Sequence, residues 1–126
     1  MFTHMFLGSN DVDRSRKFYE AVLAPLGRQN VMPADQPRLV FPSETSTLIV
    51  GAPANGEPAN ASNGFTVGFG AADAAAVDAF HAAGLANGGT CEGAPGPRPA
   101  APGNAYGAYL RDPDGNKFCI ACHRAE

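Results

Sequence analysis

Thr3-His4-Met5-Phe6-Leu7-Gly8-Ser9-Asn10-Asp11 returns, 62 positions on, as Phe65-Thr66-Val67-Gly68-Phe69-Gly70-Ala71-Ala72-Asp73. In both copies a short apolar run ends at an Asp, a helical pattern follows, and a Gly closes it. The same shift places Phe18 on Phe80, Leu23 on Leu85 and Gly27 on Gly89. A period this long, occurring twice, describes two copies of one supersecondary unit rather than a solenoid array. A pseudo-two-fold pair builds its site where the copies meet, so matched positions are expected to line one cavity.

Each copy reads the same way along the chain. Residues 3–9 form an apolar run suited to a buried strand, and Asn10 or Asp11 can cap a helix over roughly 12–25. Strands are expected near 28–32, 37–42 and 46–52, with Pro42-Ser43-Glu44 as the turn between the last two. Residues 53–63 are turn formers throughout and serve as the connector. The second copy has a strand over 64–70, a helix near 74–87 behind Asp73, and a strand near 90–94. Pro95 to Gly103 reads as a loop, a candidate lid. Tyr106–Arg111 and Asn116–His123 read as strands joined by Asp112-Pro113-Asp114-Gly115, a strong hairpin turn signal. The order is βαβββ twice, in modules of about residues 1–53 and 64–126. The expected fold class is α+β, one domain with a cup-shaped, mostly antiparallel pair of sheets.

Composition narrows the function classes. With 126 residues, 44% hydrophobic and 17% charged, the chain fits a single soluble globular domain. A net charge of −3 without a Lys/Arg run argues against a nucleic-acid partner. No apolar stretch approaches a membrane span, so no membrane partner is expected. The first residues show neither a basic nor an apolar leader segment, and three cysteines make an odd count without scaffold spacing. A cytoplasmic, reduced setting is the expectation. The abundance of Ala, Gly and Pro is associated with bacterial, GC-rich genomes.

Three pieces carry a resemblance: His4-Met5-Phe6-Leu7-Gly8-Ser9-Asn10-Asp11, Ser15-Arg16-Lys17-Phe18-Tyr19, and Tyr109-Leu110-Arg111-Asp112-Pro113-Asp114-Gly115-Asn116-Lys117. In this order the chain resembles, over essentially its whole length, the glyoxalase / bleomycin-resistance / extradiol-dioxygenase (vicinal oxygen chelate) superfamily. The resemblance implies two βαβββ modules shaping a cup. Enzymes of the family hold a divalent metal there, on His, Gln or Glu at four symmetry-related strand positions, as a Lewis acid toward vicinal oxygens. Other members hold no metal and sequester a drug-like ligand. A homodimer is also implied.

Carried over residue by residue, the first ligand position is His4 and its mate is Thr66. The position four after the Gly of Asp-Pro-Asp-Gly is Cys119, and its mate falls at Ile49 or Val50. Only His4 matches the family pattern, so a divalent metal is disfavoured though not excluded. His4 is the catalytic candidate, as metal ligand or general base, with Thr66 and Cys119 positioning the substrate. Cys119 as a nucleophile activated by His4 is a thinner reading.

Strand alternation adds an argument independent of the family. Phe65, Val67 and Phe69 share one face, Thr66, Gly68 and Gly70 the other. On the last strand Phe118, Ile120 and Cys122 oppose Lys117, Cys119, Ala121 and His123. Small residues on the second face leave room for a small-molecule ligand. Tyr106, Tyr109 and Arg98, in or beside the lid, are substrate-binding candidates, with Arg98 suited to a carboxylate or phosphate. Cys119-Ile120-Ala121-Cys122-His123 matches the haem-attachment pattern, but residues three apart on a strand face opposite ways, so no haem is expected. Two functions remain open. One is a glyoxalase-like lyase, isomerase or dioxygenase acting on a small oxygenated metabolite. The other is a metal-free protein that binds a small or drug-like molecule.

Overall fold

Both helices begin where an Asp side chain caps them. A computed structural model describes residues 1–123, and residues 124–126, the end of the second module, lie outside the described residues. In it the Asp11 carboxylate accepts the Arg14 N–H at 3.1 Å, and the Asp73 carboxylate accepts that of Ala76 at 2.9 Å. Each cap satisfies one of the orphan N–H groups of a first helical turn. The capped helices are α1 (Val12–Leu23) and α2 (Ala74–Ala86). A single 3-10 turn (Ala24–Leu26) follows α1, and Gly27, at φ 73°, ends it in the left-handed conformation that glycine adopts without strain.

The first module supplies β1 (His4–Gly8), β2 (Arg38–Pro42) and β3 (Thr47–Gly51). The second supplies β4 (Val67–Gly70), β5 (Thr90–Pro97), β6 (Ala105–Arg111) and β7 (Lys117–His123). They form a three-stranded sheet, β1-β3-β2, and a four-stranded sheet, β4-β7-β6-β5. In each sheet the opening strand pairs parallel with the last, and the remaining pairs are antiparallel.

Three expectations need correction. Residues 28–32 form no strand. The Asn30 side-chain oxygen accepts the N–H groups of Met32 and Val40 at 3.1 and 3.0 Å, and a single backbone bond, Val31 N to Val40 O at 2.9 Å, runs beside β2. A side-chain amide offering the backbone an alternative partner displaces a regular ladder. Residues 95–97 belong to β5, which the bulges between Cys91 and Gly96 let continue past Pro95. Finally, β4 starts at Val67, so Thr66 and the exposed Phe65 precede it.

The two modules share one core. On α1, Ser15, Phe18, Tyr19, Val22 and Leu23 are buried, at three- and four-residue spacing. The rings of Phe18 and Tyr19 pack against Phe118 of β7, with centroids 6.1 and 5.7 Å apart. The helices cross at Gly84, where a Cβ would lie 2.4 Å from Leu110 Cδ1 and 3.5 Å from both Phe18 and Val22. Glycine there lets α1, α2 and β6 meet.

A buried polar clasp completes the join. Asp112, 3% exposed, accepts four donors: the Tyr19 hydroxyl, the Asn116 side-chain amide at 2.8 Å, and the N–H groups of Asp114 and Asn116 at 2.9 and 2.8 Å. Asn116 also donates to Gly8 O at 3.0 Å. Asp114 accepts Arg14 at 2.7 Å, Ser15 at 3.3 Å and the Asn10 N–H at 3.0 Å. Two of the pieces that carry the resemblance, on α1 and in the Asp-Pro-Asp-Gly turn, are thus the two halves of one joint. Burial raises the Asp112 carboxyl above its usual range, against the lowering pull of its hydrogen bonds from Tyr19 and Asn116.

Candidate functional site

Each strand has one face against the helices and one away from them, and the second face carries the candidate chemistry. On β1 the second face presents His4, Phe6 and Gly8 while Leu7 is buried. On β2 and β3 it presents Arg38 and Val40, then Thr47, Ile49 and Gly51. In the second module it presents Gly68 and Gly70, Gly107, Tyr109 and Arg111, then Lys117, Cys119 and Ala121.

On the first module this face opens into a cleft of about 840 Å3. Phe6, Gly8 and Arg38 form its floor, and Ala52 with connector residues 53–55 and 57–60 forms its wall. The wall is fixed by Asn10, whose side-chain amide donates to Ala59 O at 3.0 Å and accepts from Ala59 N at 2.7 Å. Within the wall, Gly56 N bonds Pro53 O at 3.1 Å and Glu57 N bonds the Asn55 side chain at 3.0 Å. The volume is that of an ordinary small-molecule site.

His4 lies elsewhere. Its exposed imidazole bonds the Thr3 hydroxyl at 2.8 Å and lines a smaller cleft of about 190 Å3 with Phe2, Val67 and Gly68. Cys119 is half-buried and pairs across the ladder with Tyr109. The Tyr109 phenol is raised above its usual value, chiefly by its hydrogen bond to Cys119, with Arg98 opposing. Arg98 stands 5.9 Å from the centre of the Tyr109 ring and Lys117 stands 5.4 Å from it. Arg98 itself donates to the carbonyls of Ala94 at 2.6 Å, Pro97 at 3.2 Å and Gly96 at 3.3 Å. The structure therefore brings Tyr109, Cys119 and Arg98 together, and leaves His4 with Thr3. Tyr106 sits on the opposite face, where its hydroxyl donates to Asp78 of α2 at 2.7 Å. Thr66 is exposed ahead of β4. Phe6, Arg38, Asn10 and the connector wall were not among the residues expected from sequence.

The model of the Glyoxalase/Bleomycin resistance protein/Dioxygenase superfamily matches residues 2–120. The chain belongs to this superfamily. A glyoxalase/bleomycin resistance protein from Albidiferax ferrireducens T118 is 46% identical over 98% of each chain, with a TM-score of 0.88. A glyoxalase-related enzyme from Fulvimarina pelagi is 18% identical over 96% of this chain and 86% of its own, with a TM-score of 0.74. A lactoylglutathione lyase from Agrobacterium tumefaciens is 23% identical over 95% of this chain and 91% of its own, with a TM-score of 0.63. The last two likenesses show the fold alone. No curated protein matches the chain.

The superfamily's divalent metal can be tested against the donors present. The ladder registers pair Phe6 with Ile49 and Gly68 with Cys119, so Ile49 rather than Val50 is the mate of Cys119. The four positions are then His4, Ile49, Thr66 and Cys119. Isoleucine has no lone pair, a threonine hydroxyl is a weak ligand, and a thiol suits soft ions rather than the hard ones that oxygen-chelating chemistry uses. Among the described residues no three His, Cys, Asp or Glu side chains stand close enough to hold an ion. This donor set does not fit the family metal. Cys119 and Cys122 do point to opposite faces, the first half-buried and the second buried.

Proposed function

We propose that this superfamily member binds a small oxygenated organic molecule in the cleft of its first module and does so without a protein-held divalent metal. The observation that carries this reading is the cleft itself, of small-molecule size, with a preformed wall and an apolar ring and a cation on its floor. Supporting it is a set of four ligand positions of which one, His4, has the expected chemistry. A lyase or isomerase of the metal-dependent kind would need more donors than this. The reading includes a homodimer and a cytosolic location. No helix among the described residues is long and apolar enough to cross a membrane.

Titration of the purified chain with manganese, nickel and zinc, alone and with His4→Ala, tests it. The expected result is no stoichiometric uptake at micromolar metal, with ligand affinity in His4→Ala within about tenfold of the parent, or ~1.4 kcal/mol. One metal per chain, lost in His4→Ala, would overturn the metal-free reading. Sedimentation at micromolar concentration reads the oligomeric state.

A further inference from the structure

We propose that the cleft of the first module is a site for an aromatic monocarboxylate, with Arg38 as the carboxylate partner and the Phe6 ring as the stacking surface. This rests on the binding reading above and names its ligand class.

The first observation is a cation without a partner among the described residues. Arg14 pairs with Asp114, Arg16 with Asp13, Arg28 with Glu44 and Arg111 with Glu92, while Arg98 is engaged by backbone carbonyls. Among the described residues Arg38 alone of the arginines has no acceptor and no ring contact. A guanidinium offers five N–H donors in a planar fork that matches a carboxylate two bonds at a time. The other charged side chain lining the cleft, Glu57, is not within ion-pair distance of it.

The second observation is a ring that the fold does not need. Phe6 is 46% exposed, and the matching position of the second module is Gly68, so strand pairing does not require bulk there. Phe6 and Arg38 converge over Gly51. A Cβ on Gly51 would lie 3.6 Å from Phe6 Cζ and 3.1 Å from Arg38 Cβ. Gly51 is the ladder partner of both Gly8 and Arg38, and its lack of a side chain lets the Phe6 ring and the Arg38 stem lie over the buried backbone there. A Cβ on Gly8 would come 2.8 Å from Ala59 Cβ, which shows how closely the wall approaches this floor.

Chemistry follows from the arrangement. An aromatic ring stacks on Phe6 at an offset while its carboxylate reaches Arg38. Glu57, on the wall, repels a second anionic group, which favours monocarboxylates over dicarboxylates. The Asn10 clamp holds the wall before the ligand arrives, so little ordering is required on binding.

The test is a chemical-shift titration of the full chain with benzoate, benzamide, benzylammonium and phthalate, alongside a broad set of neutral fragments. Benzoate is expected to shift residues 6, 8, 38 and 52–60 and to bind at least tenfold more tightly than benzamide, phthalate or benzylammonium. Arg38→Gln should abolish the advantage of benzoate over benzamide, Arg38→Lys should keep part of it, and Phe6→Leu should weaken both ligands together. Thermal melts of these variants confirm that each folds. Equal binding of benzoate and benzamide in the cleft overturns the carboxylate assignment while leaving the binding function standing. No shift in the cleft from any probe or fragment overturns both. A dimer that dissociates in Arg38→Gln or Phe6→Leu also overturns the proposal, because it assigns the pair to an interface between copies.

Discussion

Met5, Leu7, Leu39, Phe41, Leu48 and Val50 of the first module stand where Val67, Phe69, Ala108, Leu110, Phe118 and Ile120 stand in the second. Every one of these is apolar, and all lie on the face that meets the helices. On the other face the pairs are His4 with Thr66, Phe6 with Gly68, Arg38 with Gly107, Val40 with Tyr109, and Ile49 with Cys119. Only Gly8 with Gly70 is unchanged there. Burying an apolar side chain stabilises a fold by about 1.5–3 kcal/mol, so helix-facing positions are held to one chemistry in both copies. The opposite face is free of that demand. Its composition is therefore free to differ between the modules, and the cleft lies on the first.

The hairpin turns differ in the same instructive way. Ser43 closes its own turn by accepting the N–H groups of Thr45 and Ser46 at 3.4 and 3.1 Å. Asp112 closes the matching turn and also accepts the Tyr19 hydroxyl from the other module. If this contact joins the modules, Asp112→Ala should destabilise by about 3–5 kcal/mol, because it leaves several buried donors without an acceptor. Ser43→Ala, on an exposed turn, should lose only about 0.5–1.5 kcal/mol. Denaturant unfolding of both variants measures the contrast, and equal losses would refute the clasp.

Gly84 and Val22 occupy matching helix positions and face each other. Gly84→Ala should lose about 1–3 kcal/mol by overpacking, since its Cβ has no room beside Leu110. A thermal shift within error of the parent would mean the helices can separate without loss.

The smallest effect concerns Tyr19 and its mate His81, both on buried helix faces. Burial lowers the His81 imidazole below its ordinary value of 6.5, against the raising effect of Asp78, and its Nε2 lies 3.2 Å from Cys91 Sγ. The unfolded chain then binds the proton more readily than the folded one. Stability from this group is present above pH about 6.5 and is lost as pH falls toward the lowered value. Melting temperatures from pH 8 to pH 5 should fall less steeply in His81→Leu than in the parent, relative to each protein's value at pH 8. An unchanged slope would remove His81 from the account.

The order of elements and the helix caps were legible because they rest on local signals: Asp before an apolar period, Gly at a left-handed exit, Asp-Pro-Asp-Gly between strands. The missing strand at 28–32 was not legible, since Asn30 acts through Val40, ten residues away. Tyr109 and Cys119 share a face as strand alternation requires, with Arg98 reaching the Tyr109 ring from beyond β5, whereas Tyr106 sits on the opposite face by that same period of two. Phe6 could have been found by extending the alternation from His4 and Gly8.

From sequence alone came the repeat and the α+β class, because these follow from periodicity and short-range chemistry that each residue expresses with its neighbours, while the superfamily came from the resemblance of three short motifs. Tertiary structure alone determined that the two motifs grip each other, that a connector of turn formers becomes a wall through Asn10, and that Arg38 has no acceptor among the described residues. Those are long-range pairings. Whether a cation finds a partner depends on every element packed around it, and no local pattern encodes that.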